Sequence, residues 1–271
     1  MNAIHTNWTL PRGSMEDFEL LTTVISALKW REHNGSIAMV TDKNGAEFYR
    51  KNRLDILWDN GISESLSDIK VNPKMFWAAG KIYALREQKA PVAVIDTDFI
   101  VWEKLDFSAI TDAAVIHFEE INEDVYPEPS VFEMENGYEF LEADKNLKAC
   151  NTAFYVIKNQ ELLDCYTAEA IRFAENAKNV DEPLTYMLYA EQRLFNVCAK
   201  KTGITVDALS DSETLFKNNN SFTHIWGMKQ QMRDNEDLRE KFCLRCAERI
   251  KRDFPDMVPI LKKCDLTGKY F

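Results

Sequence analysis

Basic residues are in short supply in this sequence, and long apolar runs are absent from it. The 271 residues include 33 Lys and Arg against 44 Asp and Glu, which gives a net charge of −11. Non-specific binding to nucleic acid depends on basic side chains that neutralise phosphates, so this balance argues against it and against docking on an anionic membrane. No apolar run approaches the roughly 20 residues of a membrane span. The 45% of hydrophobic residues is enough for a folded core.

The N-terminal residues lack the features of a secretion signal. The stretch "MNAIHTNWTLPRG" has no basic region followed by an apolar one. The six cysteines are scattered along a long chain, which favours reduced thiols, and we predict a cytoplasmic protein. Cys243 and Cys246 have C-x-x-C spacing, but no second pair or nearby histidine completes a zinc site. They fall within a predicted helix, so we interpret them as two buried thiols.

Strand and helix patterns alternate four times in the first hundred residues. Apolar segments at 2–8, 36–42, 55–59 and 92–98 indicate strands, and those at 112–119, 149–159 and 204–209 extend the series. Helical patterns cover 14–35, 45–54, 72–88, 160–177, 182–203 and the residues from 235 onward. This order predicts a mixed, mostly parallel sheet with helices on both faces, a Rossmann-like α/β fold. In such sheets ligands bind beyond the carboxyl ends of the strands.

The domain organisation predicted from these patterns is simple. One domain covers residues 1–230, and residues 231–271 form a helical extension packed on it. Within the domain, residues 105–144 contain no Lys or Arg but twelve Asp and Glu. The acidic segment from Glu119 to Asp144 is either a solvated surface loop or a lid beside a binding cleft, since long loops in compact domains are often functional.

Two aspartates interrupt the apolar stretch "APVAVIDTDFIVWEKL". Burying an unpaired carboxylate costs several kcal/mol, so Asp96 and Asp98 either lie at the strand end or hold something positively charged. Along a continuous strand, residues i and i+2 share a face about 6.6–7 Å apart, too far to grip one ion unless the chain turns between them. Carboxylate ligands suit Mg²⁺ or Mn²⁺, with other positions left to water and phosphates. The pair therefore points to a metal–diphosphate site.

The same residues resemble a known family. "VAVIDTDFIVW", with "AIHTNW", "CNTAFYV", "AEQRLFN" and "FTHIWG" in the same order, is similar to the D-x-D glycosyltransferases of the GT-A fold, which use nucleotide-sugar donors. The resemblance spans most of residues 3–230 as scattered motifs. It implies a GT-A-like fold and a metal-dependent, hexosyltransferase-like enzyme with a UDP-sugar donor and an acceptor of unknown identity. The oligomeric state is not implied.

The resemblance also implies roles for individual residues. Asp98 would bind the metal directly, Asp96 would face the ribose or a metal-bound water, and His224 would complete the metal site. The donor nucleotide and sugar would lie against Thr6, Asn7, Trp8, Asp42, Lys81, Asn151 and Thr152. Ala153 stands where these enzymes often have glycine, which weakens the two assignments before it. Glu191 and Gln192 would face the acceptor, Glu191 as the base of an inverting enzyme, and an ion pair inside a helix is its competing use.

Three alternatives stay open at this stage. A phosphohydrolase of the haloacid dehalogenase type also has D-x-D after four apolar residues, but about ninety residues precede the motif here and no closing pair of acids follows. A nucleotidyltransferase would have a Gly-rich phosphate loop after the first strand, which this sequence lacks. The third alternative is a non-catalytic protein that binds nucleotide sugars with the same fold, because fold does not imply function.

Overall fold

The computed structural model describes residues 1–142, 144–217 and 221–271, and these form a mixed α/β fold, as predicted. Their strands are β1 (Ala3–Asn7), β2 (Ile37–Thr41), β3 (Ile62–Ser63), β4 (Val92–Ile95), β5 (Phe99–Val101), β6 (Ala113–Val115), β7 (Phe118–Glu119), β8 (Ala149–Cys150), β9 (Phe154–Ile157), β10 (Val206–Ala208) and β11 (Phe222–His224). Seven of them form a sheet in the order β10-β6-β9-β4-β1-β2-β3, in which β4 is the middle strand.

Helices flank the strands along the chain. They are α1 (Thr9–Arg12), α2 (Asp17–His33), α3 (Lys43–Lys51), α4 (Ala79–Arg86), α5 (Gln160–Asn176), α6 (Leu184–Leu188), α7 (Leu194–Lys201), α8 (Ser212–Lys217), α9 (Lys229–Asp234), α10 (Glu236–Asp253) and α11 (Val258–Leu261). A π-helical turn over Tyr189–Arg193 joins α6 to α7. No helix of the described residues combines the length and the apolar character that crossing a bilayer requires.

Strand directions confirm the predicted sheet. β1 pairs with β2, β2 with β3, and β10 with β6, all in parallel, whereas β6 and β9 run antiparallel. The sheet is therefore mixed and mostly parallel. Helical connections such as α2, which leads from β1 to β2, are what parallel pairing requires.

Two compact units divide the chain. The first unit comprises Met1–Asn2, Ser65–Val94 and the described part of 106–218, and the second comprises Ala3–Glu64, Ile95–Leu105 and the described part of 219–271. The boundary predicted at residue 230 stays a prediction, since residues on both sides of it lie in the second unit.

The second unit is built around α2. Its core residues include Phe18, Leu21 and Trp30, all fully buried. The capping box that starts α2 is formed by Glu16 and Glu19. Asp17 is buried, and Arg239 of α10 and Tyr270 donate hydrogen bonds to its carboxylate at 2.6 Å each.

The first unit has an aromatic core. The Phe173 ring of α5 lies 5.4 Å from Phe132, which in turn lies 4.8 Å from both Tyr186 and Tyr189. Phe132 belongs to the acidic segment and is only 6% exposed. The segment is therefore anchored at this point and is not solvated along its whole length.

Several predicted elements differ from the structure, among them the strand at 55–59 and the helix from residue 72. Residues 55–59 are not a strand: Leu54 and Leu57 are buried with Asp55 and Ile56 exposed between them, a spacing of three that fits the 3₁₀ turn over Asp55–Leu57. The helix predicted from residue 72 begins only at Ala79. Met75 and Phe76 are adjacent and both 1% exposed, so this stretch buries consecutive side chains as a turn, not one helical face.

Candidate metal and nucleotide site

Asp96 and Asp98 lie on a turn and not within a strand. β4 ends at Ile95, and the Phe99 N–H donates to the Asp96 carbonyl at 2.9 Å, which closes a turn before β5 begins. The predicted strand through residue 98 is thus shorter than expected. The turn removes the separation that a straight strand would impose on the two carboxylates.

β11 brings a histidine to the same turn. It pairs with β5 in antiparallel register, so that His224 lies opposite Phe99, and the Ile225 N–H donates to the Asp98 carbonyl at 3.3 Å. One ligand atom each from Asp96, Asp98 and His224 then lies within 4.8 Å of the others. The three residues predicted to hold a metal are therefore close enough to share one ion.

A lysine that the sequence reasoning did not single out completes the cluster. Asp98 is 5% exposed, and its carboxylate lies 2.8 Å from the Lys229 ammonium and 3.6 Å from His224 Nε2. Burial alone would raise the pKa of Asp98, but Lys229 and His224 together hold it well below its ordinary value. Asp98 is thus an anion at neutral pH. Lys229 comes five residues after His224 in the sequence.

The donor set fits a divalent cation. Two carboxylates and one imidazole are ligands that Mn²⁺ accepts and that Mg²⁺ accepts in part, since imidazole favours the softer ion. Among the described residues, the buried Nδ1 of His224 has no hydrogen-bond partner. A ligand-bearing ring with an unpaired nitrogen and two adjacent carboxylates is an arrangement that a metal ion would satisfy.

A cavity of about 620 Å³ in the second unit borders the turn through Thr97. Its lining combines β1, the start of α3 and the last residues of the chain: Asn7, Thr9, Leu10, Gly13, Ser14, Met15, Glu19, Asn44, Gly45, Phe48, Lys51, Asn52, Thr97, Cys264, Asp265 and Leu266. This volume lies in the range of cofactor pockets.

The predicted nucleotide residues of β1 differ in their placement. Asn7 lines the cavity, and its side-chain amide donates to the Tyr49 hydroxyl at 2.8 Å. Thr6 is half-buried in the strand, opposite Val40. Trp8 is 4% exposed and is not among the residues that line the cavity, so its ring packs in the core.

Asp42 links two segments beside the cavity. Its carboxylate accepts from the Thr9 N–H at 2.7 Å, from the Thr9 hydroxyl at 2.9 Å and from the Gly45 N–H at 3.0 Å. It is therefore the N-cap of α3, a position where Asp is strongly favoured. A Cβ on Gly45 would lie 2.0 Å from Thr41 Oγ1, so only glycine permits this close packing. If Asp42 also bound the donor nucleotide, it would have to use carboxylate oxygens that already accept these hydrogen bonds.

A chain of hydrogen bonds connects β1 and α2 to the turn that contains Asp96 and Asp98. Trp58 Nε1 donates to His5 Nδ1 at 3.3 Å, so the proton of His5 is on Nε2, which donates to Ser26 Oγ at 3.0 Å. Ser26 in turn donates to the Phe99 carbonyl at 2.5 Å. His5 is fully buried, and burial lowers its pKa to about 3. The neutral ring thus connects β1 and α2 to the residue that follows Asp98.

The other predicted residues lie in the first unit, and three of them meet there. The Lys81 ammonium contacts Glu191 at 2.5 Å and the Thr152 carbonyl at 2.9 Å, and Thr152 Oγ1 donates to Glu191 at 2.9 Å. The side chains of Lys81 and Glu191 are 6% and 9% exposed. This buried ion pair joins α4 to the π-helical turn, so it differs from the ion pair inside one helix that was the competing use predicted for Glu191.

The side chains of Asn151 and Gln192 form hydrogen bonds with other residues. The Asn151 side chain donates to Glu119 at 2.8 Å and accepts from the Ala153 N–H at 3.1 Å. Gln192 Oε1 accepts from the Tyr126 hydroxyl at 2.5 Å. Their assignments to the donor sugar and the acceptor stay predictions.

The comparison with protein families identifies the chain. A model described as "Family of unknown function (DUF6734)" matches residues 7–262. The chain belongs to this family. The DUF6734 family carries no assigned activity in that description, and no curated protein matches the chain.

Several solved structures are similar to this member of the DUF6734 family at low identity. The WbbM bifunctional glycosyltransferase is 12% identical over 77% of this chain and 38% of its own, with a TM-score of 0.43. The PaToxG glycosyltransferase is 11% identical over 99% and 85%, with a TM-score of 0.42. CTP:phosphocholine cytidylyltransferase from Streptococcus pneumoniae is 12% identical over 88% and 98%, with a TM-score of 0.44. The chain thus spans well under half of the first of these, and similarities at such scores do not assign a function.

Proposed function

We propose that this protein is a metal-dependent glycosyltransferase. It moves a sugar from a nucleotide diphosphate donor, which we expect to be a UDP-sugar, to a hydroxyl acceptor. The observation that carries the proposal is the convergence of Asp96, Asp98 and His224 within 4.8 Å beside a cavity of about 620 Å³. The order of motifs in the sequence agrees with it.

Different residues of the second unit would bind the diphosphate and the nucleoside of the donor. Asp96, Asp98 and His224 would hold Mn²⁺ or Mg²⁺, which when bound would neutralise the charge that develops on the departing diphosphate. Asn7 and the other polar groups of the cavity would hold the nucleoside. The positive charge of Lys229 already neutralises the negative charge of the Asp98 carboxylate. When a metal ion binds beside that carboxylate instead, the Lys229 ammonium would be available to bind the donor phosphates.

A hydrolase of the haloacid dehalogenase type fits the site less well. Such an enzyme attacks with the first aspartate of D-x-D and closes its metal site with further acids. Here the third ligand is the imidazole of His224, and the second aspartate is paired with Lys229 at 2.8 Å.

Calorimetric titration of Mn²⁺ and UDP tests the proposal. We expect UDP to bind the wild-type protein only with Mn²⁺, and GDP, CMP and free phosphate to bind more weakly. Asp98→Asn keeps the shape of the side chain but removes a charged ligand, so we expect metal-dependent affinity to fall at least roughly tenfold. His224→Ala should weaken Mn²⁺ binding less, because water can replace one neutral ligand.

Two further variants make the test specific. Lys229→Gln removes the cation that competes for Asp98, so Mn²⁺ alone should bind it more tightly than it binds the wild type. Asp55→Asn removes the same charge as Asp98→Asn from an exposed position in the same unit and should change nothing. Circular dichroism of each variant checks that the fold is kept. Unchanged Mn²⁺–UDP binding in a folded Asp98→Asn protein would refute the site, and turnover of phosphate esters lost in Asp96→Asn would favour the hydrolase.

A further inference from the structure

Trp226 is an exposed tryptophan next to a proposed metal ligand. It is 67% exposed, although it follows His224 by only two residues. All six tryptophans lie in the described part of the chain, and the other five are buried or half-buried: Trp8, Trp30, Trp58, Trp77 and Trp102. A single exposed apolar residue is ordinary on a protein surface. The position of this one beside the metal ligands is what indicates a function.

Two hydrogen bonds and a ring contact fix the position of this indole. The Ile225 N–H donates to the Asp98 carbonyl at 3.3 Å, and the Met228 N–H donates to the Ile225 carbonyl at 2.9 Å, which closes the 3₁₀ turn that begins at Trp226. Ile225 is 2% exposed and anchors this turn in the core. The rings of Trp226 and His224 are stacked, with centroids 6.4 Å apart and planes inclined by 30°. The indole is therefore held next to the proposed metal ligands while most of its surface is open to water.

The nucleoside of the donor is not the expected partner of this ring. Trp226 does not line the cavity of about 620 Å³ in which Asn7 and its neighbours would bind the nucleoside. If the metal holds the donor diphosphate, the groups that react also lie near the metal, because the transferred sugar is attached to that diphosphate. The substrates available to a side chain outside the nucleoside cavity are then the transferred sugar and the acceptor.

An indole ring and a saccharide ring are chemically complementary. The face of an aromatic ring carries negative partial charge. The oxygens of a sugar withdraw electron density from its C–H groups, so a pyranose can stack one face on the indole while its hydroxyls stay in water. An exposed ring is also reached directly from solvent, which suits a second substrate better than a sugar that arrives already bound through its diphosphate.

We propose that Trp226 is the platform on which the acceptor stacks, and that the accepting group is a saccharide. The assignment of this saccharide as an acceptor rests on the proposed function. Its binding to Trp226 does not, and it is measured first without metal or nucleotide.

Acrylamide quenching of tryptophan fluorescence locates the binding, because acrylamide reaches the exposed indole of Trp226 more readily than the five others. The probes are methyl β-glucopyranoside and methyl β-galactopyranoside, which have rigid C–H faces. Sorbitol, an open-chain polyol without such a face, is the control ligand. We expect at least one glycoside to protect Trp226 from acrylamide in a saturable manner, and sorbitol at the same concentration to have no such effect.

Saturation-transfer difference NMR then compares variants with the glycoside that binds. Trp226→Ala removes the platform, and we expect affinity to fall about three- to tenfold, the range of one aromatic stacking contact. Trp226→Phe keeps a smaller aromatic face and should lose less. The control is Ile56→Ala, which truncates another exposed apolar side chain of the second unit, one that does not line the cavity. It should bind the glycoside as the wild type does.

Added nucleotides separate the acceptor from the donor. We expect the glycoside to stay bound with saturating Mn²⁺ and UDP, and also with Mn²⁺ and UDP-glucose, because donor and acceptor must be bound together for transfer. Displacement by UDP-glucose but not by UDP would assign Trp226 to the donor sugar, and displacement by UDP would assign it to the nucleoside. Either result contradicts the proposal.

Two further results would overturn it. Protection of Trp226 by neither glycoside would mean that the ring does not bind a saccharide, and unchanged glycoside affinity in a folded Trp226→Ala protein would place the binding elsewhere. Failure of the proposed function is a separate observation. In that case Mn²⁺ and UDP would not bind the wild type, whatever the glycosides do.

Discussion

At the scale of single residues, Glu191 has a structural role in addition to the catalytic role predicted for it. Its carboxylate is engaged by the Lys81 ammonium and the Thr152 hydroxyl, and Tyr166 donates to its backbone carbonyl at 2.7 Å. Removing one partner of such a buried pair leaves the other charge without compensation, which typically costs 3–5 kcal/mol. The pair therefore matters for stability whether or not Glu191 also acts on an acceptor.

We expect Glu191→Gln to lower the free energy of unfolding by about 3 kcal/mol in urea denaturation, because Lys81 stays buried with one neutral partner. The double variant Lys81→Met with Glu191→Leu should recover most of that loss, since an apolar pair of similar volume needs no desolvated charge. If Glu191→Gln were as stable as the wild type while transfer activity disappeared, the catalytic assignment would be preferred.

The residues of the site differ in how far sequence could find them. Asp96 and Asp98 were recognisable because two acids in an apolar run are costly unless they have a function. His224 was recognisable only through the order of motifs. Lys229 was missed because a lysine in a polar stretch has an ordinary solvated alternative, and only the fold shows its contact with Asp98. The residue type of Trp8 left two roles open, because aromatic residues at a strand end pack in the core as readily as they stack on a base, and in the structure Trp8 is buried.

At the scale of elements, the helix near the C-terminus is tied to α2 by one buried carboxylate. The side chain of Asp17 accepts from Tyr270 at 2.6 Å, from Arg239 at 2.6 Å and from the Phe18 N–H at 2.7 Å. Burial opposes its charge, yet these donors lower the pKa of Asp17 below its ordinary value. Asp17 thus binds both α10, through Arg239, and Tyr270 near the chain end, while the nearby residues 264–266 line the proposed nucleotide cavity.

We expect Tyr270→Phe to lower the free energy of unfolding by about 1.5–3 kcal/mol, the usual cost of losing a hydrogen bond to a charged group. Lys269→Gln is the matched control. Its ammonium lies 3.4 Å from the same carboxylate, but its side chain is 64% exposed, so we expect a change below about 0.5 kcal/mol. Urea denaturation of the two variants measures the difference, and equal stabilities would contradict the role given to Tyr270.

Element types were more predictable than element ends. Both α2 and α5 were predicted to within a few residues. The buried residues form a repeating stripe in α5, whereas α2 buries every residue from Leu20 to Ala27. Short elements were predicted wrongly where neighbouring elements bury consecutive side chains and no single face is buried, as in the turns over 72–78. The π-helical turn at Tyr189–Arg193 was not predicted, because the pattern over residues 182–203 was interpreted as one helix and a single π turn shifts its apolar stripe by only about one residue.

At the scale of the whole molecule, acid should destabilise this protein in two stages. The ordinary pKa of histidine is near 6.5, but burial lowers that of His5 to about 3. Between these values the unfolded chain binds a proton that the folded chain does not, so stability falls as the pH falls. Below about pH 4 the aspartates with lowered pKa values, Asp17, Asp98 and Asp253, add to the loss for the corresponding reason.

We expect the free energy of unfolding of the wild type to fall between about pH 6 and pH 4.5 by up to about 1.4 kcal/mol per pH unit, the limit for one proton. His5→Gln removes the titrating ring while keeping a hydrogen-bonding side chain, so its curve should be flatter in this interval. Both curves should steepen together below about pH 4, where aspartates titrate. Parallel curves throughout would mean that His5 is protonated alike in both states.

The division of the second unit among three separate stretches of chain has a consequence for biosynthesis. A ribosome releases residues in order, and the described part of 219–271 is made after all of the first unit. The first unit is therefore complete in sequence while the chain is still growing, whereas the second still lacks its last stretch after β1 and α2 have been made. His224, Lys229 and α10 arrive in that last stretch. A nascent chain stalled before these residues would contain Asp96 and Asp98 but not His224. The three proposed ligands could therefore not yet bind one ion together.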